Sequence, residues 1–296
     1  MISRRKLIRI AAPAIIGIAA VPKLARAMQL PFDGWAGSPF AFPAGRAPGF
    51  DPLHPMSKGI SGIHGFSAVA QGTNFVNLVT GAPWAIFHPW TTALNNTLGP
   101  VAVSAANDSA STITGAAIAD NNATVASIFS LTSAGTTQIW LRTTNTGASQ
   151  GWQMQTNSSL LQLSPAISGG SAASFTNFTI SSGVPYFAAI STNNATYYGV
   201  LVNLSNGVTL TQTVTISPNT VTASAGTYVL GVTLQTGSVL AAGMFAPFTA
   251  SLSQLIQWSA APWNFWYPPD MLMAELKGTA AAASPSHLLP LLGVGQ

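Results

Sequence analysis

Tyr186-Phe187-Ala188-Ala189-Ile190-Ser191-Thr192, Tyr197-Tyr198-Gly199-Val200-Leu201-Val202-Asn203-Leu204 and Val208-Thr209-Leu210-Thr211-Gln212-Thr213-Val214-Thr215-Ile216 follow one another in the chain, parted only by Asn193 to Thr196 and by Ser205-Asn206-Gly207. Val, Ile, Thr and aromatic side chains suit a pleated, half-buried surface, and short Asn, Gly and Ser clusters between such runs turn the chain back on itself. Working outward, the same texture recurs at Thr124–Leu131, Gln138–Thr143, Trp152–Thr156, Phe175–Ile180, Tyr228–Leu234 and Val239–Phe248. Many short strands without long helices between them predict an antiparallel sandwich, all-β in class.

Helical spacing is seen late in the chain. Leu252, Leu255, Ile256 and Trp258 fall on one helical face, with Ser251 placed to cap it, so one short C-terminal helix is expected. Pro268 and Pro269 then stop regular structure, and residues 267–296 read as a tail. Upstream, residues 28–58 carry Pro31, Pro39, Pro43, Pro48, Pro52 and Pro55 and read as an extended lead-in to a sandwich over residues 59–266.

Charge is unevenly placed. Six of the ten Lys and Arg residues (Arg4, Arg5, Lys6, Arg9, Lys23 and Arg26) precede residue 28. With the apolar stretch Ile10 to Val21 and the small-x-small sequence Ala25-Arg26-Ala27, residues 1–27 read as a removable export signal. Ser3-Arg4-Arg5-Lys6-Leu7-Ile8 resembles the twin-arginine address of bacteria. The apolar run is shorter than the ~20 residues a membrane span needs. The expected location is therefore secreted or periplasmic, with no stable membrane span after processing.

The 269 residues after position 27 hold four basic and six acidic side chains, a net charge of −2. Nucleic-acid binding needs several clustered Lys or Arg, and Arg46, Lys58, Arg142 and Lys277 are scattered. Without cysteine, disulfides and thiolate metal sites are ruled out. Only 5% of residues are charged, so hydroxyls and amides must make the surface polar, as in exported β-proteins and in virion decorations.

Several separate pieces resemble the laminin-G-like, concanavalin-A-like lectin/glucanase domains of bacterial and bacteriophage proteins. Asp51-Pro52-Leu53-His54-Pro55-Met56-Ser57-Lys58-Gly59 is similar to their N-P-x-H-P-L-x-x-G lead-in. Tyr186 to Ile190 resembles a W-Y-H-V-A-V strand, and Tyr198 to Val208 the next strand with its Y-V-N-G turn. Gly243 to Ile256 resembles the closing strand and L-S-x-E-I helix, and Ala261-Pro262-Trp263 the N-P-W segment. Gln254-Leu255 stands where the family has Ala-Glu, and Phe187-Ala188 where it has Tyr-His. The resemblance covers roughly residues 50 to 266 and implies a concanavalin A-like, two-sheet jelly roll whose loops or concave face hold sugar.

Catalysis has little to work with. Glucanases of this fold cluster carboxylates as E-x-D-x-E on one strand, whereas the single glutamate here is Glu275 in the tail and the aspartates are isolated. Gly147-Ala148-Ser149-Gln150-Gly151 has the letters of a hydrolase elbow but runs into a β-type segment, so it reads as a hairpin loop. His64 reads as a loop residue, and His54 and His88, each before a proline, as turn residues. No enzymatic activity is expected.

Binding has better candidates. In Gln138-Ile139-Trp140-Leu141-Arg142, strict alternation puts Ile139 and Leu141 inward and Gln138, Trp140 and Arg142 outward. Trp140 beside Arg142 is then a candidate sugar-stacking platform, or a cover for a neighbouring loop; the tryptophans at 84, 90, 152, 258, 263 and 266 read as core. No cofactor is required, although Asn107-Asp108-Ser109 and Asp120-Asn121-Asn122 carry the oxygen ligands calcium takes. Asp108 and Asp120 equally read as turn residues that bond their own backbone.

The function expected from sequence is a non-catalytic, exported or displayed module that binds a glycan or another cell-surface polymer, multivalently because one shallow site is weak. The alternative is a structural or adhesion protein of a phage or prophage virion. If Arg4 and Arg5 form an export address, replacing both by Lys leaves unprocessed protein in the cytoplasm on cell fractionation; processing that continues unchanged contradicts the export reading.

Overall fold

Every described strand pairing is antiparallel, and the strands divide into two sheets. The computed structural model describes residues 38–43, 54, 62–65, 75–76, 78–79, 83–86, 90–105, 111–118, 122–145, 151–165, 171–218 and 224–267, all inside the unit Gly37–Gln296. The first sheet runs, in spatial order, Thr209–Thr215 (β14), Thr196–Asn203 (β13), Pro185–Thr192 (β12), Ala123–Ser130 (β7), Val239–Ala246 (β16), Gly99–Ser104 (β5) and Trp90–Asn95 (β4), with Gly62–Gly65 (β1) also paired to β16. The second runs Ala173–Thr179 (β11), Leu160–Pro165 (β10), Trp152–Asn157 (β9), Gln138–Asn145 (β8), Ser224–Leu230 (β15), Ser111–Ile118 (β6), Pro83–Ile86 (β3) and Phe75–Val76 (β2).

Alternation decides what each sheet buries. In β7, Val125 and Phe129 point between the sheets while Ala126 and Ile128 point the other way, yet all eight residues of the strand are buried. The neighbouring β12 is likewise buried throughout, with Tyr186, Ala188 and Ile190 inward and Phe187 and Ala189 outward. A strand buried on both faces needs a third layer, and the chain supplies one. Helix Leu252–Ser259 (α1), the 3-10 turn Pro262–Phe265 and the segment carrying Phe40 and Phe42 cover the outer face of the first sheet at its central strands.

Local chemistry fixes that cover in place. Ser251 caps α1 through the backbone N–H of Gln254, and the Gln254 side chain accepts from the Ser251 N–H in return, so two of the helix's four orphan donors are satisfied. Ala250 N–H donates to Ser191 Oγ at 2.7 Å and to Thr124 Oγ1 at 3.1 Å, tying the helix start to β12 and β7. Trp266 Nε1–H donates to Gly243 C=O on β16 at 3.3 Å, and Trp263 Nε1–H donates to Phe40 C=O at 3.0 Å. The ring of Phe42 meets those of Trp263 and Tyr267 edge-on, and His54 sits edge-on to Trp258 and Phe265. His54 is thus part of the cover rather than only a turn residue.

Between the sheets, Trp140, Trp152, Phe129, Phe175, Phe178 and Tyr197 form the aromatic centre of the core. Phe175 and Phe178 stack with centroids 5.0 Å apart, and Gly199 on β13 gives them room: a Cβ there would lie 2.5 Å from Phe175. The tryptophans at 152, 258, 263 and 266 are buried as expected. Trp90 packs half-buried on the core. The side chain of Trp84 lies outside the description.

Two sequence expectations need correction. The strand placed at Tyr228–Leu234 lies four residues earlier, because Gly231 at φ 65° turns the chain away and its N–H caps Trp140 C=O at 2.9 Å. The larger correction concerns Trp140. Its side chain is fully buried, with its ring centroid 4.4 Å from that of Phe129. The cause is a β-bulge: Ile139 pairs with Gln155 and Leu141 with Met154, leaving Trp140 as the extra residue. Alternation slips by one, so Trp140 and Leu141 both enter the core while half-buried Ile139 joins Arg142 on the outer face.

Trp140→Ala therefore empties core volume instead of trimming a surface. A loss of about 3–5 kcal/mol is expected, lowering the melting temperature by roughly 6–20 °C. A melting point unchanged within a degree contradicts the burial of this indole.

Candidate functional site

The outer face of the second sheet is built from the residues that alternate with its core. In β9, Trp152 and Met154 point inward, so Gln153 and Gln155 point out; in β10, Leu161 and Leu163 point inward, so Gln162 and Ser164 point out. Ser174 follows on β11, between the inward Ala173 and Phe175. Register brings these side chains into two rows. Arg142, Gln153 and Ser164 lie abreast, and Ile139, Gln155, Gln162 and Ser174 form the next row. Val229 on β15 continues the Arg142 row.

A chain of hydrogen bonds links them. Gln153 Nε2–H donates to Gln155 Oε1 at 2.7 Å, Gln155 Nε2–H to Gln162 Oε1 at 2.8 Å, and Gln162 Nε2–H to Ser174 Oγ at 2.7 Å. An amide has two N–H donors and two acceptor lone pairs, and this ladder uses one N–H of each glutamine. Gln155 and Gln162 are 8% and 6% exposed, so the ladder's centre is rigidly packed, while Arg142, Gln153 and Ser174 remain part-exposed around it. The buried Gln155 and Gln162 hold the part-exposed Gln153 amide and Ser174 hydroxyl in preset directions, which lowers the ordering cost of binding a polyhydroxylated ligand.

Arg142 has a distinct electrostatic setting. Its Nε is shut off from solvent and makes no hydrogen bond, and burial pushes its guanidinium below the ordinary arginine value. Trp140 Nε1, buried one residue from Leu141 on the inner side, likewise has no partner. An unmade bond of that kind costs about 1–3 kcal/mol.

The sequence candidates therefore separate. Arg142 stays on the outer face and is joined by the amide ladder; Trp140 does not belong to that face. Asp108 and Asp120, with most of their loops, lie outside the described residues. Asn122 is described, and its Oδ1 accepts from Thr249 Oγ1 at 2.9 Å. Among the described residues no cluster of three or more His, Asp or Glu side chains could hold a metal. His64 lies in β1 opposite Gly243; His88 and residues 147–150 lie outside the description. The ladder itself escaped sequence reasoning, although Trp152-Gln153-Met154-Gln155 and Leu161-Gln162-Leu163-Ser164 carry its period-two signal.

No protein-family model and no curated protein sequence matches the chain. Solved structures do share its fold. Domain 4 of AbnA, a GH43 extracellular arabinanase from Geobacillus stearothermophilus, in complex with arabinotriose, aligns with a TM-score of 0.53 at 14% identity, over 68% of this chain and 98% of that domain. The binding domain of Paraclostridial Mosquitocidal Protein 1 aligns with a TM-score of 0.52 at 11% identity, over 71% of this chain and 55% of that one. The ligand-binding domain of botulinum neurotoxin serotype D, in complex with N-acetylneuraminic acid, gives 0.50 at 9% identity, over 68% and 50%. This chain thus spans nearly all of the arabinanase domain but about half of each toxin domain. The shared property is a β-sandwich fold.

Proposed function

We propose that this protein is a non-catalytic, exported or surface-displayed module that binds a glycan on the outer face of its second sheet. The observation that carries the reading is the amide ladder Gln153–Gln155–Gln162–Ser174 with Arg142 beside it. Sugars present closely spaced hydroxyls, each both donor and acceptor, and a glutamine amide offers the matching donor and acceptor on one plane. Ile139, half-buried in the same row as Gln155, gives the face an apolar spot for the C–H side of a ring. Sandwiches of this fold in complex with arabinotriose and with N-acetylneuraminic acid support the reading by analogy of architecture.

The non-catalytic part of the proposal rests on carboxylates. Glycosidases of the usual kind need two, a few ångströms apart, and the strands described here contain neither Asp nor Glu. Exported or displayed placement rests on residues 1–27 and on the hydroxyl- and amide-rich surface. Affinity per site is low. Each neutral hydrogen bond adds about 0.5–1.5 kcal/mol net, and the two tryptophans of this sheet whose side chains are described, Trp140 and Trp152, are buried in the core. Single-site binding near millimolar follows, about −4 kcal/mol. Useful attachment then comes from several copies acting together, where effective concentration multiplies avidity by roughly 10²–10⁴.

A tetramer made by joining biotinylated protein to streptavidin should be retained on at least one polysaccharide of a glycan array, while the monomer washes off. Gln155→Ala, which breaks the ladder at its middle, should cut that retention about tenfold, the equivalent of 1.4 kcal/mol, with the cooperative melt preserved. Failure of the tetramer to bind any saccharide, or full retention by Gln155→Ala, contradicts the proposal.

A further inference from the structure

Arg142 is the one Lys, Arg, Asp or Glu side chain among all the described residues. It lies in the middle of a sheet face rather than at a rim, flanked by Val229 on one side and Gln153 on the other. Its Nε is sealed from water without a hydrogen bond, burial lowers its pKa, and no described residue carries an opposing charge. A cation in that position loses hydration and, among the described residues, gains no opposite charge in return. A glutamine at this point would continue the amide row and avoid the cost. Among the described residues, then, nothing answers this charge.

Resting on the glycan reading above, we infer that Arg142 selects acidic saccharides, seating the ring carboxylate of a uronic- or sialic-type sugar while Gln153 and the ladder hold its hydroxyls. The chemistry fits in three respects. A carboxylate supplies the missing opposite charge and accepts charge-assisted bonds from the guanidinium fork, stronger than neutral ones. A single arginine balances one carboxylate per sugar. Finally, a carboxylate on one carbon of a sugar ring lies a few ångströms from the neighbouring hydroxyls, and adjacent strands in the sheet separate Arg142 from Gln153 by about 5 Å.

The test uses the streptavidin-linked tetramer of the full chain on surfaces coated with polygalacturonate, polyglucuronate, polymannuronate and polysialic acid, each paired with the same polymer after its carboxyls are reduced to primary alcohols. At least one acid form should be retained about tenfold better than its reduced twin, the scale of one charge-assisted bond. Arg142→Gln should bring the acid form down to the level of its twin, and Arg142→Lys should keep part of the preference. The melting temperature of Arg142→Gln should hold or rise, because an uncompensated charge has been removed. The sensitive pair also names the source, uronate or sialate. Equal retention of acid and reduced forms in every pair, or a preference that survives Arg142→Gln, overturns the inference. If retention is equal but still falls in Gln155→Ala, the glycan reading stands and only the acidic selection falls; if nothing is retained, both fall.

Discussion

The structure depends on the burial of one sheet from both sides. β7 and β12 lie at the centre of the first sheet, and neither has a residue open to solvent. One face closes the sandwich core with Phe129, Tyr186 and Ile190; the other lies under α1, the Pro262–Phe265 turn and the Phe40 and Phe42 rings. Each buried aromatic removes about 150–250 Å² from water, which is why a helix of eight residues and one 3-10 turn, too short to persist alone, are stable here. The consequence for function is direct. The centre of the first sheet is used up by the fold on both faces, although its edge strand β14 stays largely exposed, and the outer face of the second sheet carries the fixed polar row on which a recognition surface can be built.

The polar composition then takes on a specific meaning. With almost no ions available, buried polar groups must satisfy one another through hydroxyls and amides. Ser127 Oγ–H donates to Ala242 C=O, and Gln138 Oε1 accepts from Gln235 N–H and Ser238 Oγ–H, closing loops at one end of the sandwich. The ladder of Gln153, Gln155 and Gln162 follows the same chemistry but on an outer face, where part-exposed members border it. Fixed amides without charge suit neutral hydroxyls, and the lone Arg142 is the departure that gives the face a sign.

Much of this was legible from sequence. Residues 124–131, 138–143, 152–156 and the three runs after Tyr186 form strands close to where their Val, Thr and aromatic content put them, and Ser251 caps the helix as its position suggested. Two kinds of information were missing. Strand β10 escaped because its hairpin turn is Ser158-Ser159, at φ 51° and 67°, where the usual Asn-Gly signal is absent. Trp140 was assigned to the wrong face because a bulge leaves no mark in a period-two pattern: one extra residue reverses the assignment of Ile139 and Trp140, and only pairing with β9 reveals it. The site suffered most from this, since its sequence reading paired Trp140 with Arg142, and its true companions sit on separate strands that come abreast only in the folded sheet.

The central claim is that ligand meets the amide face of the second sheet and not the aromatic cover of the first. Side-chain amide and indole resonances in a ¹⁵N-correlated NMR spectrum report on the two surfaces at once. On titration with an oligosaccharide drawn from a retained polysaccharide, the NH₂ signals of Gln153, Gln155 and Gln162 should shift together, while the indole signals of Trp258, Trp263 and Trp266 stay in place. Shifts confined to those indoles, with the glutamine amides unmoved, would contradict the account.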